Sequence, residues 1–80
     1  MLLGISYDKR FDNLYIKVGD NQSSIGCEEY DGLVVMRDFT SRKITGLKLF
    51  GFMGMYHRGS LPKWPDGINI DVDREIIPLI

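Results

Sequence analysis

Tyr30-Asp31-Gly32-Leu33-Val34-Val35-Met36-Arg37-Asp38-Phe39, then Ile44-Thr45-Gly46-Leu47-Lys48-Leu49-Phe50-Gly51-Phe52-Met53-Gly54-Met55-Tyr56, is the stretch on which the fold turns. Asp31-Gly32 sits between two runs of strand formers. Asp-Gly fits a type I′ turn, whose twist matches that of the flanking strands, so Tyr30 and Leu33 are expected to face each other across a hairpin. Thr40 to Lys43 reverses the chain again. From Ile44 to about Phe52 the sequence reads as a long strand, with Thr45, Leu47 and Leu49 opposing Ile44, Gly46, Lys48 and Phe50. From Phe50 onward both faces are apolar, as far as Tyr56.

The pattern continues outward from this centre. Leu3, Ile5 and Tyr7 alternate with Leu2, Gly4 and Ser6, and Asp8 to Asn13 reads as a polar turn. Leu14, Ile16 and Val18 alternate with Tyr15, Lys17 and Gly19, a half-buried strand over 14–19. Gly19-Asp20-Asn21-Gln22 supplies the next turn, and Ser24 to Tyr30 is a weaker strand. Beyond Tyr56, residues 58–67 are loop by composition. Ile68, Ile70 and Val72 alternate with Asn69, Asp71 and Asp73, the pattern of a late strand, and Pro78 confines Ile76–Ile80 to an edge or an irregular end. No window predicts a long helix; one helical turn fits Asp8–Asp12.

The expected architecture is all-β: an antiparallel meander of hairpins forming a curled sheet or small barrel, with a C-terminal loop and late strand. The chain reads as one domain, with a core over residues 1–56 and an extension over 57–80. With no helix to cover the sheet, its apolar face is hidden by its own curl or by a second copy.

Eighty residues bury only about 60–65% of the surface the unfolded chain exposes, so small folds usually add a disulfide, a metal or a partner. Cys27 is the sole cysteine and His57 the sole histidine, which leaves no internal disulfide and no structural zinc spacing. No cofactor is implied, and a partner subunit is the remaining supplement. Asp8, Lys9 and Arg10 break any leader-like apolar start. The longest apolar-rich run, Leu49 to Tyr56, is far short of the roughly 20 residues that span a bilayer. Together with a lone cysteine, these features point to the cytoplasm. The net charge is −1, yet residues 41–60 hold Arg42, Lys43, Lys48 and Arg58 with no acid, between two acidic stretches. Such asymmetry points weakly to an electrostatic partner.

Leu47, Leu49, Phe50, Phe52, Met53, Met55 and Tyr56 are therefore the candidate interface. Read as a strand apolar on both faces, the segment needs burial on both, and methionine and aromatics are enriched at adaptable interfaces. Two other readings stand beside it. One is an ordinary central strand covered by the loop carrying Trp64. The other is single-stranded nucleic-acid binding by segment 42–58, where Lys43, Lys48 and Arg58 flank Phe50, Phe52 and Tyr56.

Tyr7, Asp8, Asp12 and Tyr15 form a cluster with two readings. Paired carboxylates near a turn can hold a cation or a polar ligand. Equally, Asp8 and Asp12 can cap the two ends of the turn, with the tyrosine hydroxyls at the rim, and this use of Asx side chains is the commoner one. Glu28, Glu29 and Asp31 read as a charged edge that discourages strand addition; adjacent strand residues face opposite ways, so Glu28 and Glu29 cannot chelate together without a bulge. An enzyme using His57 needs an orienting acid and a nucleophile, and nothing in the sequence brings Cys27 or Ser60 to it. Asn69, Asp71 and Asp73 read as a solvated strand face. No residue is assigned as catalytic or metal-binding.

Tyr7-Asp8-x-x-x-Asp12-x-Leu14-Tyr15-Ile16, Glu28-Glu29-Tyr30-Asp31-Gly32-Leu33-Val34-Val35 and Ile44-Thr45-Gly46-Leu47-Lys48-Leu49 come in the order and spacing of a known pattern. Over roughly residues 5–50 the chain resembles the domain-of-unknown-function family two-two-eight-three, short prokaryotic β-proteins. The resemblance implies an all-β protein without an assigned enzymatic activity, and an antitoxin-like role beside a small toxin-like protein. The chain departs from that pattern at Arg37–Lys43, where the family's acidic turn is replaced, and in the thirty residues that follow the match. Residue reading and resemblance converge on a non-enzymatic, self-associating interaction module, most simply a homodimer. Nucleic-acid binding and an enzyme using His57 are the alternatives.

Overall fold

The computed structural model describes residues 4–19, 24–30, 32–65 and 67–80. Five strands, β1 (Gly4–Asp8), β2 (Asn13–Lys17), β3 (Ser24–Tyr30), β4 (Leu33–Asp38) and β5 (Ile44–Phe50), form one antiparallel sheet. Their order is β1-β2-β5-β4-β3. The all-β architecture built from hairpins is as the alternation predicts. The sheet stays open, with β1 and β3 at its edges, so it does not close into a barrel. Tyr30 pairs with Leu33 as expected, and Gly32 has φ +80°. Leu2, Leu3, Asp31 and the turn residues Asp20, Asn21 and Gln22 lie outside the described residues.

Register explains why β5 is central. Ile5, Ile16, Leu47, Val35 and Cys27 line up as one row across the sheet, and Tyr7, Leu14, Leu49, Leu33 and Tyr30 as a second. Paired residues share a face. The three middle members of each row are at most 1% exposed, and burying each such side chain contributes about 1.5–3 kcal/mol.

Two expectations are corrected here. Residues 44–56 are not one strand: β5 ends at Phe50, Gly51 takes φ +70°, and Phe52–Arg58 is a helix, α1. Apolar side chains at 52, 55 and 56 have the i, i+3, i+4 spacing of one helical face, so the segment's two greasy strand faces are a single helical stripe. Gly59 (φ +69°) stops α1, with the Gly59 and Ser60 N–H groups donating to the Tyr56 and Met55 carbonyls at 3.2 and 2.9 Å. This is a Schellman ending, and His57 and Arg58 suit the negative end of the helix dipole.

The late strand at 68–73 is likewise absent. Val72–Ile76 is a π-helical turn and Ile77–Leu79 a 3₁₀ turn. Asp71 starts the first by accepting from the Arg74 N–H at 3.4 Å, while Glu75 reaches back to the Asp71 N–H at 2.6 Å. These reciprocal bonds are a relative of the capping box. They turn Ile70 and Ile76 into the core, at 6% and 0% exposure, and Leu61, Trp64, Ile68 and Val72 pack half-buried against that core. Helix α1 and the residues after it are therefore the cover of the sheet's apolar face.

Candidate functional site

Asp12 stands at the end of the β1–β2 turn with φ +55°, in the left-handed region that aspartate tolerates better than most residues. Its carbonyl oxygen accepts the Phe52 N–H at 3.0 Å. Its carboxylate accepts the Met53 N–H at Oδ1 (2.8 Å) and the Gly54 N–H at Oδ2 (3.1 Å). A helix leaves its first four N–H groups without internal partners, and Gly51 has no side chain to serve them. Asp12 takes three of the four from forty residues away. The Tyr7 hydroxyl also donates to Oδ1, at 2.6 Å.

Partial burial pushes the Asp12 carboxyl up, but the hydrogen bonds from Tyr7, Met53 and Gly54, and the nearby His57, outweigh it and hold the group below its ordinary value. The same hydrogen bond, with burial, pushes the Tyr7 phenol up to about 12. A carboxyl depressed in the folded state stabilises fully above its unfolded value of about 3.9, and that contribution is lost as pH falls through the folded value. The expected result is a chain whose urea midpoint drops on acidification below about pH 4. In Asp12→Asn that drop is shallower.

The four-residue cluster is thus divided. Asp8 accepts the Arg10 N–H at 2.9 Å, the turn-capping use expected of it. Asp12 caps a distant helix rather than its own turn. Tyr15 points to the opposite face of the sheet from Tyr7. There its ring lies over Gly46, where an added Cβ would stand 3.0 Å from the Tyr15 hydroxyl, and Lys48 Nζ is 5.8 Å from the ring centroid. Among the described residues no three His, Cys, Asp or Glu side chains are grouped to hold a metal ion.

The seven expected interface residues separate as well. Leu47, Leu49 and Phe52 are 0% exposed and Met55 8%, all in the core of their own chain. Their burial corrects the expectation that these four face a partner: residues 52–58 form a helix that packs Phe52 and Met55 into the same core as Leu47 and Leu49. Met53 and Tyr56 are half-buried, and Phe50 is 46% exposed on the uncovered face. Beside Phe50 is a hollow of about 230 Å³ lined by Ser6, Asp8, Asn13, Tyr15 and Lys48. Phe52 leaves the basic–aromatic segment for the core, so Lys48 and Phe50 share a face that Arg58, at the end of α1, does not.

Asn69, Asp71 and Asp73 do not share a strand face: Asp71 caps its turn, and Asp73 accepts the Tyr56 hydroxyl, tying α1 to the residues that follow it. His57 is exposed, edge-on to Tyr56 at 5.7 Å between ring centroids, and makes no hydrogen bond among the described residues.

Sequence reasoning missed the outer ends of the two apolar rows. Edge strand β3 extends past the cover, leaving Ile25 50% and Tyr30 47% exposed, with Cys27 exposed between them. Next to them Arg37 grips Glu29 through Nε (2.8 Å) and Nη2 (3.2 Å), which holds the Glu29 carboxyl below its ordinary range. The register shifts between Glu28 and Tyr30, the bulge that adjacent acids would need to share a face. Among the described residues no helix is long and apolar enough to cross a membrane. Comparison with protein families, curated proteins and solved structures finds no match to this chain.

Proposed function

We propose that this chain is a non-enzymatic protein-interaction module that self-associates as a homodimer, using the parts of its sheet that α1 and the following residues leave bare. One observation carries the reading: apolar side chains continue along the sheet beyond its cover, at Ile25 and Tyr30 on one face and at Phe50 on the other. A small toxin-like protein is the second partner we propose, supported by the likeness of residues 5–50 to family two-two-eight-three, and an exposed Cys27 thiol suits a reducing, cytoplasmic setting.

A sheet of five strands about 4.8 Å apart offers a face roughly 20 Å wide. Any interface built on it is at the small, transient end of the range for protein pairs. Light scattering after size-exclusion chromatography, run from about 10 μM to about 1 mM, is expected to show the mass rise from 9.2 kDa toward twice that value. A constant monomer across the range overturns the reading.

A further inference from the structure

We infer that the hollow beside Phe50 is a binding site for a small zwitterion of the dipeptide class, its ammonium toward Asp8 and its carboxylate toward Lys48. The inference goes beyond self-association and does not depend on it.

Two rows of the bare face build the hollow. Ser6, Tyr15 and Lys48 line up across β1, β2 and β5, and Asp8, Asn13 and Phe50 form the next row. Paired residues share a face, so all six side chains stand on the side that α1 leaves uncovered. The floor is the β2 backbone at Leu14, whose side chain is buried on the other face. Glycine at 46 opens the space above that floor. The Tyr15 ring lies down over Gly46, away from the row of Asn13. With Ser6 and Asn13 both short, about 230 Å³ stays open between Asp8 and Lys48.

The polar groups around this space are largely unengaged. Asp8 Oδ1 accepts the Arg10 N–H at 2.9 Å, with Arg10 Nε 3.8 Å from the same oxygen, which leaves Oδ2 to a ligand. Glu28, the acid in the Lys48 row, is turned to the Gly32 N–H at 3.2 Å. Lys48 Nζ stands 5.8 Å from the Tyr15 ring centroid. Among the described residues it has no ion pair, and the Ser6 and Asn13 side chains make no hydrogen bond.

The occupant follows from this layout. One anion and one cation at opposite corners favour a ligand that carries both charges and is neutral overall. Strands about 4.8 Å apart and rows about 7 Å apart set the Asp8 and Lys48 Cα atoms about 12 Å from each other. An α-amino acid, with both charges on one carbon, spans too little. In a dipeptide a peptide unit separates them, and the Asn13 amide, midway, can donate to that unit and accept from it. The residue whose carboxylate meets Lys48 has its side chain beside Phe50, on the same strand, so an apolar C-terminal residue fits. The volume is below the roughly 300–1,000 Å³ of sites for drug-sized ligands, which excludes longer peptides.

The test titrates glycyl-phenylalanine into the full ¹⁵N-labelled chain at about 50 μM, where a Kd on the order of 1 mM is expected for so small a ligand. Amide shifts should concentrate at residues 6–15 and 48–50. Lys48→Gln should weaken binding about three- to tenfold, the loss of one charge-assisted bond at an exposed site. It should leave the binding of the C-terminal amide of the same dipeptide unchanged. Asp8→Asn, which keeps an acceptor for the Arg10 N–H, should do the same for the N-acetylated form. Both variants should keep the parent circular dichroism spectrum. No shift at about 20 mM dipeptide, or shifts centred on other strands, overturns the site. Blocked dipeptides that bind as tightly as the free one overturn the two charge contacts. Uridine monophosphate binding more tightly than the dipeptide, and losing affinity in Lys48→Gln, overturns the ligand class in favour of a nucleotide.

Discussion

Asp12→Ala is expected to destabilise the chain by about 2–3 kcal/mol. A lost helix cap costs about 0.5–2 kcal/mol, and hydrogen bonds to a charged group are individually worth about 1.5–3 kcal/mol. The Asp12 carboxylate combines both, since it serves the Met53 and Gly54 N–H groups and the Tyr7 hydroxyl together. Alanine also fits a φ of +55° less well than aspartate. In a domain of this size 1 kcal/mol moves the melting temperature by roughly 4–8 °C, so a fall of about 10–20 °C should appear in a thermal melt followed by circular dichroism. Tyr7→Phe should cost less, and the double variant should cost less than the sum of the two, because both changes break the same bond. Full additivity would mean that Tyr7 and Asp12 do not act together.

The second large effect separates two phenylalanines only two positions apart. Phe52→Ala is expected to cost about 3–5 kcal/mol, the usual range for emptying a buried aromatic site. Phe52 is 0% exposed and its ring meets those of Tyr7 and Tyr56 at 6.4 and 6.3 Å between centroids. Phe50→Ala should cost about 1 kcal/mol or less, since surface changes away from such packing are small and this ring is 46% exposed. Were residues 44–56 one strand, positions 50 and 52 would point the same way and the two costs would be alike. Urea unfolding of both variants decides the matter. Equal losses would rule out the turn at Gly51.

That contrast also shows what the sequence makes legible. Strand positions up to Phe50 follow from alternation, and the Tyr30–Leu33 hairpin follows from Asp-Gly, because both signals are local. The passage from β5 to α1 is harder to see. Phe52, Met53, Met55 and Tyr56 satisfy a strand pattern and a helix pattern at once, and glycines at 51 and 54 argue against a helix on propensity. The resolving information lies elsewhere in the chain: the cap that Gly51 cannot supply comes from Asp12. Asp71, Asp73 and Glu75 ahead of Ile76 and Ile77 carried a helix-start signal that strict alternation at 68–73 concealed. Of the Tyr7, Asp8, Asp12 and Tyr15 cluster, the use of both aspartates to bind backbone N–H groups was readable. That Asp12 reaches a different element was not, since only the order β1-β2-β5 brings the first turn beside the end of β5. The bare row ends on β3 depend in the same way on where the cover stops.

Capping from so far away gives α1 a place in time as well as in space. A seven-residue helix is too short to persist alone in water, and here even its opening turn draws its cap from the β1–β2 hairpin, forty residues earlier in the chain. The Asp12 cap reaches residues 52–54 only when that hairpin lies against β5. Long loops of this kind are slow to close. Amide protons at 52, 53 and 54 should therefore exchange at the pace of the β1–β2 hairpin leaving the sheet, and a pulse of deuterium during refolding should find them among the last to be protected.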